Sequence, residues 1–179
     1  MAISIRDVRT DELSDVLRMN NLAGPNILKL TEADLAHFLH VARYFRVALI
    51  NDELAGFLIA LTQGSDYHSP NYRWFCAHHE AFLYIDRVVV SPKFRGAGVG
   101  RVFYADVQSE AEAIVPLLTC EVALEPRDDV SLVFHGTSGF TEVAQQHIPE
   151  RGMRVSLLAK ELPAFAYVQS HYLNQERAA

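Results

Sequence analysis

The residues from Val88 to Gly100, VVVSPKFRGAGVG, carry the plainest chemistry in this chain. An apolar, β-branched run (Ile85, Val88, Val89, Val90) reads as a strand. Ser91, Pro92 and Lys93 end it, because proline cannot donate to a sheet ladder. Arg95, Gly96, Ala97, Gly98, Val99 and Gly100 then lead into a helix. Glycine lets the backbone turn tightly and lets a ligand approach with no Cβ in the way. The N–H groups of a first helical turn, together with the helix dipole, attract an anion. Arg95 adds a charge and a fork of donors, and Lys93 and Arg101 add local positive charge. Strand, basic loop, glycines and helix start together predict a pyrophosphate cradle.

Two familiar cradles do not fit. A dinucleotide fingerprint needs G-x-G-x-x-G straight after its strand, whereas the spacing here is G-x-G-x-G and Ser91 to Arg95 intervene. A P-loop needs a lysine and a hydroxyl residue after its last glycine, and here Arg101 and Val102 follow. An ordinary glycine-rich turn is the plain alternative. The pattern V-x-P-x-x-R-G-x-G-x-G fits at every position from Val90 to Gly100. It resembles motif A of the GNAT acetyltransferase superfamily, which grips the pyrophosphate of acetyl-CoA. A second stretch, D-x-x-S-x-x-F-H-x-x-x-G-F from Asp128 to Phe140, resembles that superfamily's motif B, whose helix packs along the CoA arm. Ala55-Gly56-Phe57 resembles its usual entry to the third strand. Two positions depart from motif B. Asp128 stands where asparagine is common, and His135 stands where a tyrosine often gives a proton to the departing thiolate.

The resemblance implies direct transfer of an acetyl group from acetyl-CoA to a bound amine. The amine must be neutral, and the carbonyl oxygen needs a donor as charge develops on it. In the family, backbone groups of the central strand serve the carbonyl and the pantetheine, and those positions fall on Val88, Val89 and Val90. The cradle from Arg95 to Arg101 would take the pyrophosphate, and Asp128, Ser131 and Phe134 would lie along the CoA arm. Asp86, on the same strand, is the candidate base, with an Asp86–Arg87 or cross-strand salt bridge as the competing reading. Tyr84 and Glu80 are alternatives. His135 is the candidate acid, a role that depends on its protonation, and a helix-surface histidine competes with it. The leading function is an acetyl-CoA-dependent N-acetyltransferase acting on a small-molecule or peptide amine. A non-catalytic acetyl-CoA-binding or regulatory module, or an O-acyl or longer-acyl transferase, would use the same cradle.

The elements that must position these groups follow from periodicity. Ile3 to Val8 alternates as a strand, and Glu12 to Leu22 has a helical stripe of Leu13, Val16, Leu17 and Asn20. Gly24-Pro25-Asn26 breaks that helix. A second begins at Thr31, with Asp34 completing a capping box, and runs to about Tyr44 with Leu35, Phe38, Leu39 and Ala42 on one face. Arg46 to Ile50 and Leu54 to Leu61 form a hairpin. Glu80 to Val90 is the central strand, Gly98 to Val115 a helix and Leu117 to Leu124 a strand, an order that favours a parallel crossover. A short helix over 131–136 and strands over 140–147 and 154–162 complete the series. With the resemblance, this predicts a mixed α/β (α+β) GNAT fold: a twisted mixed sheet of six to seven strands with helices on both faces. A single domain spans 1–163, and 164–179 reads as a polar tail.

Gln63 to His79, QGSDYHSPNYRWFCAHH, shows neither helical nor strand period and reads as a long loop. Asp66, Tyr67, Tyr72 and Trp74 make it a candidate acceptor-binding lid, with a packed surface loop or a dimer contact as the alternative. The last strand and this segment offer surfaces for a homodimer.

Composition narrows the partners. The 179 residues carry a net charge of −6 and no basic run, which argues against nucleic acid or an acidic membrane surface. The N-terminus has early acids and no apolar core, so no signal peptide is expected, and the longest apolar stretch, Leu54 to Leu61, is too short to span a bilayer. Cys76 and Cys120 suggest no disulfide framework and no metal spacing. His78 and His79 would point to opposite faces of a strand, so no metal is expected. A cytoplasmic, reducing location is the expectation.

Overall fold

The computed structural model describes residues 2–173. In chain order the elements are β1 (Ile3–Asp7), α1 (Leu13–Leu22), α2 (Glu32–Val41), β2 (Tyr44–Ile50), β3 (Glu53–Thr62), α3 (Pro70–His78), β4 (Leu83–Val90), α4 (Val99–Glu112), β5 (Leu117–Glu125), α5 (Asp129–Thr137), β6 (Thr141–Ile148), β7 (Met153–Glu161) and α6 (Ala164–Val168). The strands form one seven-stranded sheet in the order β1-β2-β3-β4-β5-β7-β6. The β1–β2, β2–β3, β5–β7 and β6–β7 pairs are antiparallel, and β4–β5 is parallel across the α4 crossover.

The chain divides into two compact units, Met1–Tyr67 with Ile85–Asp106, and His68–Tyr84 with Val107–Ala179. In the first unit, Asn51 and Asp52 both take positive φ, 51° and 62°, which matches the tight turn that joins twisted antiparallel strands. The Thr31–Asp34 capping box opens α2 as expected: Asp34 N–H donates to Thr31 Oγ1 (3.2 Å) and Thr31 N–H to Asp34 Oδ2 (2.7 Å). Leu35 and Phe38 of its stripe are buried, but Leu39 is 36% exposed. A Cβ at Gly56 would lie 2.5 Å from the Val89 carbonyl oxygen, so only glycine lets β3 approach β4 there. Val47, Phe57, Ile59 and Phe103 fill this core without exposure.

In the second unit, two readings of the sequence are corrected. Residues 70–78 of the expected loop form α3, with Ser69 accepting from Tyr72 N–H and Pro70 in the first turn. The apolar positions Tyr72 and Phe75 are three apart and face Phe82 and Tyr84, a helical spacing that two positions are too few to show as a period. Cys76 lies on this helix, half-buried. The tail is also structured in part: Ala164–Val168 is α6, and Gln169–Leu173 continues as a π-helical turn. The remainder of that tail, 174–179, lies outside the described residues. Among the described residues no helix is long and apolar enough to cross a membrane, and no cluster of three or more His, Cys, Asp or Glu could hold a metal.

Candidate active site

The first unit contains the cradle. Ser91 N–H donates to the Ala55 carbonyl (2.8 Å), which holds the end of β4 against β3. A single 3₁₀ turn, Pro92–Phe94, follows, with Phe94 buried as its anchor. Gly96 and Gly98 then take φ of 80° and 90°, a region that L side chains rarely adopt. A Cβ at Gly96 would meet nothing within 4 Å, and one at Gly98 only the Arg101 guanidinium at 3.9 Å. The glycines therefore answer to backbone conformation and leave the loop face open, rather than making room for neighbouring protein. The first bond of α4, Val102 N–H to the Gly98 carbonyl (3.1 Å), makes Gly98 the cap residue. The N–H groups of the first turn after it have no partner within the helix, as at any helix start. Arg95 and Arg101 are exposed beside them, and Ala97 and Gly100 complete the loop. Lys93 forms an ion pair with Glu53.

The same unit holds Asp86. Its side chain is 4% exposed, and Arg87 Nε donates to its Oδ2 at 2.6 Å. Tyr67 OH donates to its Oδ1. Arg87 Nη1 donates further to Asn20 Oδ1 (2.8 Å) and to the Leu28 carbonyl (3.1 Å), and the guanidinium lies 5.4 Å over the Phe38 ring. Burial alone would lower the Arg87 pKa, but Asp86 and Tyr67 outweigh it and raise it. The pair therefore ties β4 to α1, α2 and the connection between them. Val88 and Val90 are half-buried, and Val89 is buried. A cleft of about 620 Å³ opens beside this end of β4, floored by Met19, Leu54 and Val89. Two ion pairs stand among its lining residues, Arg18 with Asp15 (2.7 Å) and Arg9 with Asp11 (3.3 Å).

The second unit brings together a pair that sequence reasoning missed. Tyr84, fully buried, donates its hydroxyl proton to Glu121 Oε2 on β5. The strand register sets Tyr84 beside Thr119, two residues from Glu121 on the same face. A lone carboxylate inside LLTCEVAL was the signal that could have found it. In α5, Asp128 is the cap: its Oδ1 accepts from Ser131 N–H (3.0 Å), and its Oδ2 accepts from Ser131 Oγ (2.9 Å). Phe134 is half-buried and meets the His135 ring edge-on. His135 is 6% exposed, with Phe140 against its other side. Its Nδ1 donates to the Ser131 carbonyl (2.7 Å), since a carbonyl can only accept. Burial lowers its pKa.

The Acetyltransferase (GNAT) family model matches residues 12–128, nearly two-thirds of the chain and all of the cradle. This chain belongs to the GNAT acetyltransferase family. Solved structures share the fold. The ribosomal-protein-S18-alanine N-acetyltransferase of Escherichia coli superposes with a TM-score of 0.69 at 15% identity, over 90% of this chain and 94% of that one. Ard1 of Thermoplasma volcanium gives 0.72 at 16% identity, over 90% and 99%. Arabidopsis thaliana Naa50, solved with the bisubstrate analogue CoA-Ac-MVNAL, gives 0.70 at 15% identity, over 89% and 99%. No curated protein matches by sequence.

In this GNAT chain the cradle residues from Arg95 to Arg101 stand together on one loop and helix start. The other expected site residues divide. Asp86 has each carboxylate oxygen engaged by Arg87 or Tyr67, the salt-bridge alternative. His135 is a packed ring rather than a surface group. Tyr72 is corrected from an acceptor wall to core, because it is 2% exposed and edge-on to Phe82 and Tyr84. Tyr67 serves Asp86. Asp66 is exposed, its carbonyl accepting from His37 Nε2 (2.6 Å), and Trp74 stacks on His78.

Proposed function

We propose that this protein is an acetyl-CoA-dependent N-acetyltransferase that transfers to a primary amine of a small molecule or peptide. The cradle carries the reading. Two glycines in the left-handed region leave an open loop face at a helix start, with Arg95 and Arg101 beside it. That set suits a pyrophosphate: backbone N–H groups, a positive helix end and two cations. When bound, acetyl-CoA supplies a thioester carbonyl that an amine can attack. The chain's own contribution is to hold the donor through the cradle, to deprotonate the amine and to return a proton to the thiolate. Glu121, which accepts from the neutral Tyr84 hydroxyl, is the group we assign to the amine proton, because Asp86 is ion-paired with the Arg87 guanidinium and also accepts from Tyr67. The N-acetyltransferase neighbours and the CoA–peptide analogue on one of them support an amine acceptor, a peptide N-terminus among them.

A second reading, a non-catalytic acyl-CoA-binding module, is favoured by one observation: His135, at the position of the common tyrosine, is buried and packed between Phe134 and Phe140. The test is release of free CoA thiol from acetyl-CoA across amino acids, polyamines, aryl amines and short peptides. Release that depends on one amine class supports transfer. Calorimetric acetyl-CoA binding without release by any class supports the module.

A further inference from the structure

The helix that begins at the cradle is fastened at its middle by directional polar bonds as well as by apolar packing. Asp106 lies two turns after Gly98 on α4, within the first unit. Its Oδ2 accepts from Tyr44 OH (2.7 Å) and from Arg46 Nη1 (2.7 Å), both on β2. Arg46 Nε reaches on to Asp7 Oδ1 of β1 (3.0 Å), and its guanidinium sits 4.8 Å over the Tyr44 ring. Tyr44 is 2% exposed, so its hydroxyl enters the interior on condition of having an acceptor. Burial and the Asp106 carboxylate both push the Tyr44 pKa up. For Arg46, burial alone would lower the pKa, but the bonds to Asp106 and Asp7 raise it.

Apolar contacts such as Phe103 on the Gly56 surface are non-directional and tolerate small shifts of a helix along or about its axis. A carboxylate oxygen bonded to two donors on a strand does not. We propose that Asp106, with Tyr44 and Arg46, is a positioning residue for the pyrophosphate cradle: it fixes the rotation and axial register of α4 and so aims the N–H groups and Arg101 at the helix start. This inference rests on the acyl-CoA reading of the cradle. An α-helix of two turns is stiff, so a shift at Asp106 is carried to Gly98. A misplacement of about 1 Å from a change far from the chemistry can cost an enzyme about a hundredfold in rate.

The experiment is a double-mutant cycle on CoA affinity, read by calorimetry, with thermal midpoints recorded alongside. Asp106→Ala should weaken CoA binding about tenfold, and Tyr44→Phe, which keeps the Arg46 bond, by less. Asp106→Asn, which still accepts from Tyr44, should recover part of the loss. In the Arg101→Ala background, Asp106→Ala should cost clearly less than in the wild type, because both act through one constellation. Full additivity with Arg101→Ala, or unchanged CoA affinity in folded Asp106→Ala and Tyr44→Phe, overturns the proposal. If Asp106→Ala does not fold, Tyr44→Phe alone decides between the outcomes. Failure of the wild-type protein to bind CoA at all is a different result: it overturns the reading of the cradle itself.

Discussion

Tyr67 donates its hydroxyl proton to the carboxylate of Asp86, on the oxygen that Arg87 does not hold. Both carboxylate oxygens of this β4 residue are thus engaged inside the protein, where the side chains of Asp86 and Arg87 are 4% and 5% exposed. Removing one partner leaves the other charge buried without compensation. Asp86→Ala should therefore lower unfolding free energy by about 3–5 kcal/mol, against about 1 kcal/mol for Tyr67→Phe. Urea denaturation reads both. An Asp86→Ala protein of wild-type stability that has lost only turnover would make Asp86 a catalytic group after all.

Gly98 tests the cradle with little burden on the fold. A Cβ there meets only Arg101 at 3.9 Å, so Gly98→Ala carries the cost of its φ of 90°, about 1 kcal/mol. CoA affinity should fall at least about tenfold, because the Cβ stands on the open face of the proposed anion site. Calorimetry with CoA checks the affinity and a melting curve checks the fold. Unchanged affinity in the folded variant removes the pyrophosphate reading.

Glu121 is assigned to the amine proton. Glu121→Gln keeps an acceptor for Tyr84 while removing the base, so turnover should drop by about a hundredfold with acetyl-CoA affinity little changed. Tyr84→Phe should be milder. The comparison of turnover with calorimetric affinity decides: equal turnover in Glu121→Gln makes the pair part of the core only.

Burial of His135 sets the sign of a pH dependence of the fold. Burial lowers its folded pKa below the ordinary 6.5. Between the folded and unfolded values the unfolded chain binds the extra proton, so stability rises with pH across that interval. The contribution is complete above about pH 6.5, is lost as pH falls through the folded pKa and is flat below it. His135→Gln should be less sensitive than the wild type between about pH 7.5 and 5.5, read by urea denaturation at each pH. Parallel pH dependence in the two proteins would place the titrating group elsewhere.

The glycine turn and helix start were legible because they are local. Proline, the positive-φ glycines and a helix start lie within eleven consecutive residues, and their conformation depends on their own backbone chemistry. The β2–β3 hairpin, the Thr31 cap and the α4 crossover were legible for the same reason. α3 was not, because its buried face shows only two apolar positions, Tyr72 and Phe75, and what they pack on is 7 to 12 residues further along the chain.

What the sequence determined by itself, then, is the family, through its glycine-rich loop at a helix start, and most of the order of strands and helices around it. Tertiary structure alone decided which ionisable groups are occupied. Asp86 is held by a tyrosine 19 residues away, Tyr84 finds Glu121 across 37 residues, and Asp106 meets Tyr44 across 62. A carboxylate's chemistry depends on whether its oxygens already accept protein hydrogen bonds and on how far water is kept from it. Both are properties of neighbours brought in by folding, and no spacing along the chain records them.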